Sequence, residues 1–115
     1  MDSLEKQVRP WGYYIVLASD ASYQIKELVV NPNSKLSYQT HKFREEHWLV
    51  IEGKGEALID GRVQKLQPGN SLTIGIGTPH RLINNTANIL KLIEVQTGSY
   101  FGEDDILRLA DDYNR

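Results

Sequence analysis

Apolar and β-branched residues gather into short runs along the chain, and turn-forming residues break those runs at close intervals. The runs Tyr13–Leu17, Tyr23–Val30, Leu36–Gln39, His47–Glu52, Glu56–Ile59, Arg62–Lys65, Ser71–Ile74, His80–Ile83 and Ile89–Gln96 read as strands. Asn31-Pro32-Asn33 ends one strand, Gly53-Lys54-Gly55 ends another, and Pro68-Gly69 marks a further turn. Asp60-Gly61 suits a tight primed hairpin turn, because both residues tolerate positive φ. Many short strands with frequent turns point to an all-β sandwich or barrel. The last segment differs. Gly102-Glu103-Asp104-Asp105 precedes Ile106-Leu107-Arg108-Leu109-Ala110, which reads as a short helix whose acidic first turn complements the helix dipole. The expectation is one domain spanning 1–115, a barrel over about 9–100 and a short C-terminal helical tail over about 103–111.

Composition narrows the function classes. A chain of 115 residues suits one domain with a modest core, so a homodimer is expected. Thirteen basic and fifteen acidic side chains are interspersed, for a net charge of -2. That balance gives no attraction to nucleic acid or to an anionic membrane, so any phosphate must be met by a few placed cations. The absence of cysteine excludes disulfides, thiolate metal sites and a cysteine nucleophile. With no apolar leader in MDSLEKQVRPWG and no apolar window near the ~20 residues of a span, the expected location is cytoplasmic.

Candidate chemistry centres on four residues. Gln39 and His41 are two apart, so in an extended segment their side chains leave the same face. Glu46 follows after a short polar loop, and His80 comes just after the turn at Gly75-Ile76-Gly77-Thr78-Pro79. Two imidazoles, a carboxylate and an amide oxygen form a ligand set for one divalent metal ion. Zinc is the first expectation, with cobalt, manganese, nickel, iron or magnesium as alternatives. His47 follows Glu46 directly and points to the opposite face, where it is expected to make structural hydrogen bonds.

The wider spacing resembles the cupin superfamily, whose motifs are G(X)5HXH(X)3–4E(X)6G and G(X)5PXG(X)2H(X)3N. Here the first motif is Asn33, Gln39-Thr40-His41, Glu46 and Gly53, and the second is Gly69, Gly75-Ile76-Gly77, His80 and Asn84, with every interval matched. Asn33 replaces the opening glycine, Gln39 the first histidine and Gly75 the proline; asparagine tolerates the same turn geometry. The glutamine narrows the resemblance to the type II phosphomannose isomerases, best known as the C-terminal domain of bifunctional enzymes with mannose-1-phosphate guanylyltransferase. The marks are Arg9-Pro10-Trp11-Gly12, Leu36-Ser37-Tyr38-Gln39-Thr40-His41, Arg44-Glu45-Glu46-His47-Trp48, His80-Arg81 and the block from Ile93 to Ile106.

What the resemblance implies is specific. The fold is a cupin, a double-stranded β-helix or jelly-roll barrel. Gln39, His41, Glu46 and His80 coordinate the metal, and Arg44 is functionally important. The implied activity is metal-dependent interconversion of mannose 6-phosphate and fructose 6-phosphate through an enediol. A non-catalytic sugar- or sugar-phosphate-binding cupin, or a cupin metalloenzyme of other chemistry, is the alternative. No glycine-rich nucleotide-binding segment is found, so nucleotide-sugar synthesis is not expected of this chain alone.

Such a reaction needs a base, stabilisation of charge on oxygen, and cations for the phosphate. Arg44, Arg81 and Arg9 are candidates for phosphate or enediolate, against surface ion pairing. Lys26 shares strand parity with Leu28 and Val30. It is an interior phosphate ligand or base if that face looks inward, and a solvated lysine if it does not. Glu103 and Asp104 are candidate substrate contacts, with charge complementation of the helix as the other explanation. Trp11, Trp48 and Tyr100 are sugar-site walls or core and interface aromatics.

Overall fold

A computed structural model describes residues 4–113, so residues 1–3 and 114–115 of the expected domain lie outside it. Twelve strands follow one another: β1 (Gln7–Arg9), β2 (Gly12–Ser19), β3 (Tyr23–Val30), β4 (Ser34–Lys35), β5 (Tyr38–Thr40), β6 (Arg44–Glu52), β7 (Gly55–Ile59), β8 (Arg62–Leu66), β9 (Ser71–Ile74), β10 (His80–Asn84), β11 (Leu90–Gly98) and β12 (Leu107–Ala110). One sheet runs β1-β2-β3-β11-β6-β9 and the other β12-β5-β10-β7-β8, with β4 also paired to β10. All pairings are antiparallel, and the sheets face each other as the jelly-roll barrel of the cupins.

Period-2 patterning builds the inner wall. On β11, Leu90, Leu92, Glu94 and Gln96 are buried, while Lys91, Ile93 and Val95 between them are partly open. Lys26, Leu28 and Val30 on β3, and Arg44, Glu46, Trp48 and Val50 on β6, take the same inward parity. Register then stacks like with like. Leu92 pairs with Leu28 and Val50, whereas Glu94 pairs with Lys26 and Trp48, and Gln96 with Glu46. The barrel is therefore apolar at one end, around Val30, Val50, Leu82, Leu90 and Leu92, and polar at the other.

Local turns follow their chemistry. Asp60 and Gly61 take positive φ (48° and 79°) in the two-residue hairpin joining Ile59 to its partner Arg62. Asn33 also has positive φ, 53°, as its place in the motif requires. Asn84, the last motif position, is buried and structural. Its amide donates to the carbonyls of Val30, Asn31 and Asn88, and its oxygen accepts from Thr86.

The C-terminal helix is corrected. No helix occurs among the described residues, and Leu107–Ala110 is strand β12, paired with β5 through Leu107↔Thr40, Arg108↔Gln39 and Ala110↔Tyr38. Five residues form too few helical hydrogen bonds to offset nucleation, while the open edge of β5 offers a ready ladder. The acidic run has other partners. Asp105 N bonds back to Gly102 O in a turn, and its buried carboxylate accepts the backbone N–H groups of Lys42 (2.9 Å) and Phe43 (3.0 Å).

Candidate metal centre

His41 sits just beyond β5, Glu46 on β6 and His80 at the start of β10, and all three are buried at the polar end of the barrel. One ligand atom from each lies within 4.8 Å of the others. Both imidazoles are oriented through Nδ1. His41 Nδ1–H donates to Asp105 O (2.6 Å) and His80 Nδ1–H to Thr78 O (2.9 Å), which turns each Nε2 toward Glu46. Those Nε2 atoms lie 3.2 Å and 3.4 Å from the Glu46 carboxylate, yet neither is aligned for a hydrogen bond, and both lack any partner. Burial pushes the Glu46 carboxyl up, but the two imidazoles overcome it and hold it well below its ordinary range. Two buried nitrogens without partners, aimed at an ionised carboxylate, are the environment that a divalent cation satisfies.

Gln39 is positioned beside this group by register. It pairs directly with His80, so the two side chains leave the sheet on the same side. It accepts a hydrogen bond from Ser37 Oγ at 3.3 Å and lines the inner cavity with His41 and Glu46. His47 behaves as its parity requires. On the outer face it meets Thr73 Oγ1 and Glu45 Oε1, away from His41, Glu46 and His80.

A cavity of about 60 Å³ adjoins Gln39, His41 and Glu46, lined in part by Tyr14, Lys26, Arg44, Glu94, Gln96 and Glu103. Arg44 is buried; Nη1 donates to Gly102 O (3.1 Å), whereas Nε, 3.5 Å from Glu46, has no hydrogen-bond partner. Lys26 faces inward, with Nζ 4.3 Å from the Tyr14 ring centre and 3.8 Å from Glu103 Oε2. Burial, then the hydrogen bond to Glu103, pushes the Tyr14 hydroxyl up to about 12. Arg9 and Trp11 line an adjoining outer pocket of about 200 Å³.

Two expected contacts lie elsewhere. Arg81 donates to Leu36 O (2.6 Å) and Ala110 O (3.2 Å), clamping β12 and the segment before β5, and it lines neither cavity. Asp104 is exposed, bonds to the Tyr100 hydroxyl, and lines a separate outer pocket with Lys42 and Phe43. A larger groove of about 550 Å³ along β7 and β8 shares no lining residue with the metal centre.

Sequence reasoning passed over Glu94 and Gln96, and took Asp105 only as part of the acidic block after Gly102. Trp48 Nε1 donates to both Glu46 Oε1 (3.3 Å) and Glu94 Oε2 (3.1 Å), so the indole fastens a candidate ligand to a second carboxylate. Gln96 Nε2 donates to Glu94 Oε1 at 2.6 Å. Burial and the neighbouring Glu46 push the Glu94 carboxyl up to about 7, with Lys26 and Arg44 opposing. The available signal was parity, since Glu94 and Gln96 continue the inward series of Leu90 and Leu92.

The chain resembles CapF, a capsular polysaccharide assembling protein of Staphylococcus aureus, with a TM-score of 0.81 at 18% identity, covering 96% of this chain and 33% of that one. A Klebsiella pneumoniae protein with a double-stranded β-helix domain gives a TM-score of 0.73 at 18% identity, covering 85% of this chain and 83% of that one. In sequence, the chain is 42% identical to a mannose-1-phosphate guanylyltransferase of Sinorhizobium fredii, over 91% of this chain and 20% of the relative. It is 44% identical to the xanthan biosynthesis protein XanB of Xanthomonas campestris, over 96% of this chain and 24% of the relative. The chain thus spans a fifth to a quarter of these relatives. These relatives correct the expected function. They are named for guanylyl transfer and xanthan biosynthesis, so an isomerase of mannose 6-phosphate and fructose 6-phosphate is not the function they assign to the chain. Residues 2–111 match the family described as mannose-6-phosphate isomerase C-terminal, and the chain belongs to that family.

Proposed function

We propose that this chain is a metal-dependent enzyme module that handles a phosphorylated sugar, of the kind found as one part of the longer guanylyltransferase relatives. In this reading Gln39, His41, Glu46 and His80 hold one divalent cation, zinc first among the candidates. The observation that carries it is the pair of buried Nε2 atoms, His41 and His80, left without partners around Glu46. Support for the ligand class comes from the family description and from the mannose phosphate named in a relative.

The bound cation would act as a Lewis acid toward a sugar oxygen. The chain's own groups complement it. Arg44 Nε is a buried donor with no protein partner, suited to an oxygen carrying developing charge. Glu94, a buried carboxyl lining the same cavity, is placed to take or give a proton there. The reading includes a cytoplasmic location and a homodimer, for which the exposed Leu49 and Ile51 on the outer face of β6 offer an apolar surface. It includes no nucleic-acid or membrane partner.

Calorimetric titration of zinc-loaded and chelator-treated protein with mannose 1-phosphate, mannose 6-phosphate and mannose tests this reading. A phosphorylated sugar should bind the loaded protein at least about tenfold more tightly than mannose does, and chelation or His41→Ala should abolish the difference. Equal binding with and without metal would refute it.

A further inference from the structure

The inner cavity and the outer pocket share a wall made by Leu36, Gln39, Glu103 and Ile106. The inner space, about 60 Å³, has room for about two waters. Small-molecule sites start near ~300 Å³, so neither this cavity nor the 200 Å³ outer pocket is sufficient alone. Of the four wall residues only Glu103 is exposed.

The Glu103 carboxylate sits where an anion would sit. It accepts the Tyr14 hydroxyl at 2.5 Å, lies 3.4 Å from Arg9 Nη2, and lies 3.8 Å from Lys26 Nζ. Lys26 is buried on a central strand, and 3.8 Å is too long for a hydrogen bond, so its ammonium is incompletely matched. Burial raises the Glu103 carboxyl, but Lys26, Tyr14 and Arg9 outweigh it and keep the group ionised. Lys26 is fixed inside the barrel and Arg9 stands half-buried on the edge strand β1, whereas Glu103 is at the surface and can turn into water.

We propose that Glu103 is a built-in occupant of an anion subsite formed by Lys26, Arg9 and the Tyr14 hydroxyl, and that a phosphate group displaces it and joins the two cavities. A phosphate offers more charge and one more acceptor oxygen than a carboxylate, so it matches the Lys26 ammonium and the Arg9 fork better. The displaced side chain vacates the shared wall, so a ligand anchored by its phosphate reaches the metal end. The sugar part of such a ligand rests on the function proposed above; the subsite itself does not.

The test uses inorganic phosphate and metal-stripped full chain in chelator, followed by calorimetry and by the amide resonances of residues 102–105. Wild type should bind with shifts centred on Glu103. Glu103→Gln and Glu103→Ala should each tighten binding by about tenfold, as loss of one competing charge at this distance implies. Lys26→Met should abolish binding, and Arg9→Gln, at a partly exposed position, should weaken it with the fold intact. Phosphate binding that is undetectable in every form, unchanged or weaker in both Glu103 variants, or unaffected in both cation variants would overturn the subsite. Because metal is absent throughout, that failure would stand apart from a failure of metal-dependent sugar-phosphate binding.

Discussion

Replacing Glu94 with glutamine is expected to stabilise the metal-free protein at alkaline pH and to do little at acid pH. Glu94 lies buried between Trp48 Nε1 and Gln96 Nε2, and its carboxyl is pushed from an ordinary 4.5 up to about 7. Between those values the folded state holds a proton that the unfolded chain has lost, so stability falls as pH rises through the window. At pH 8 the ionised, buried Glu94 costs about 3 kcal/mol, and at pH 5 less than about 1 kcal/mol. Glutamine resembles the protonated acid and never ionises. Its oxygen can accept from Trp48, and its NH₂ can meet the Gln96 oxygen, which has no partner, once that amide turns over. Any fixed loss from this rearrangement is independent of pH and cancels when pH values are compared. Urea denaturation of both proteins in chelator from pH 5 to pH 8 measures the difference. The glutamine variant should gain about 2–3 kcal/mol on the wild type across that range. A difference flat with pH, or one moving the other way, would refute the assignment of a raised carboxyl to Glu94.

Three further outcomes follow from particular contacts. Asp105→Ala removes the carboxylate that holds the Lys42 and Phe43 amides and loosens the carbonyl that orients His41. Zinc affinity, measured by competition with a chromophoric chelator, should fall about 10–100-fold, and an unchanged affinity would show that His41 needs no such support. Asn84→Ala strips the donors from the buried carbonyls of Val30, Asn31 and Asn88 and should cost about 3 kcal/mol in urea melts. A cost below about 1 kcal/mol would mean that water replaces the amide. Gly98→Ala places a Cβ 2.2 Å from Phe43 O at φ 152°, and should lower stability by more than about 2 kcal/mol while shifting Arg44, its strand partner. A thermal melt matching wild type would contradict that.

Much of the barrel was legible because burial on one face writes itself into period-2 alternation. The runs at Tyr23–Val30, Ser71–Ile74 and Ile89–Gln96, and the Asp60-Gly61 hairpin, lie where the pattern put them to within two residues. The short strands β1 and β4 carry too few residues to display a period. The C-terminal segment failed for a different reason. Ile106 to Ala110 alone does not distinguish a helix from a strand, and only the vacant edge of β5, a partner distant in sequence, decides the outcome. At the site, the motif spacing singled out His41, Glu46 and His80, which the fold brings within 4.8 Å of one another, whereas parity alone left the face of Lys26 open. Arg81 lies away from both cavities because its neighbour His80 points inward, and adjacent strand residues then point oppositely. Glu94 and Gln96 were passed over as part of a strand, although polar residues on an inward parity are themselves a signal.

The central claim is a single divalent cation held at the polar end of the barrel. Stripping the protein with chelator, titrating zinc by calorimetry, and locating the ion by anomalous scattering tests it most directly. The expected result is one ion per chain between His41, Glu46 and His80, within reach of Gln39, with affinity falling at least about 100-fold in His80→Ala. No stoichiometric zinc or manganese binding, or an ion lodged away from those side chains, would contradict it.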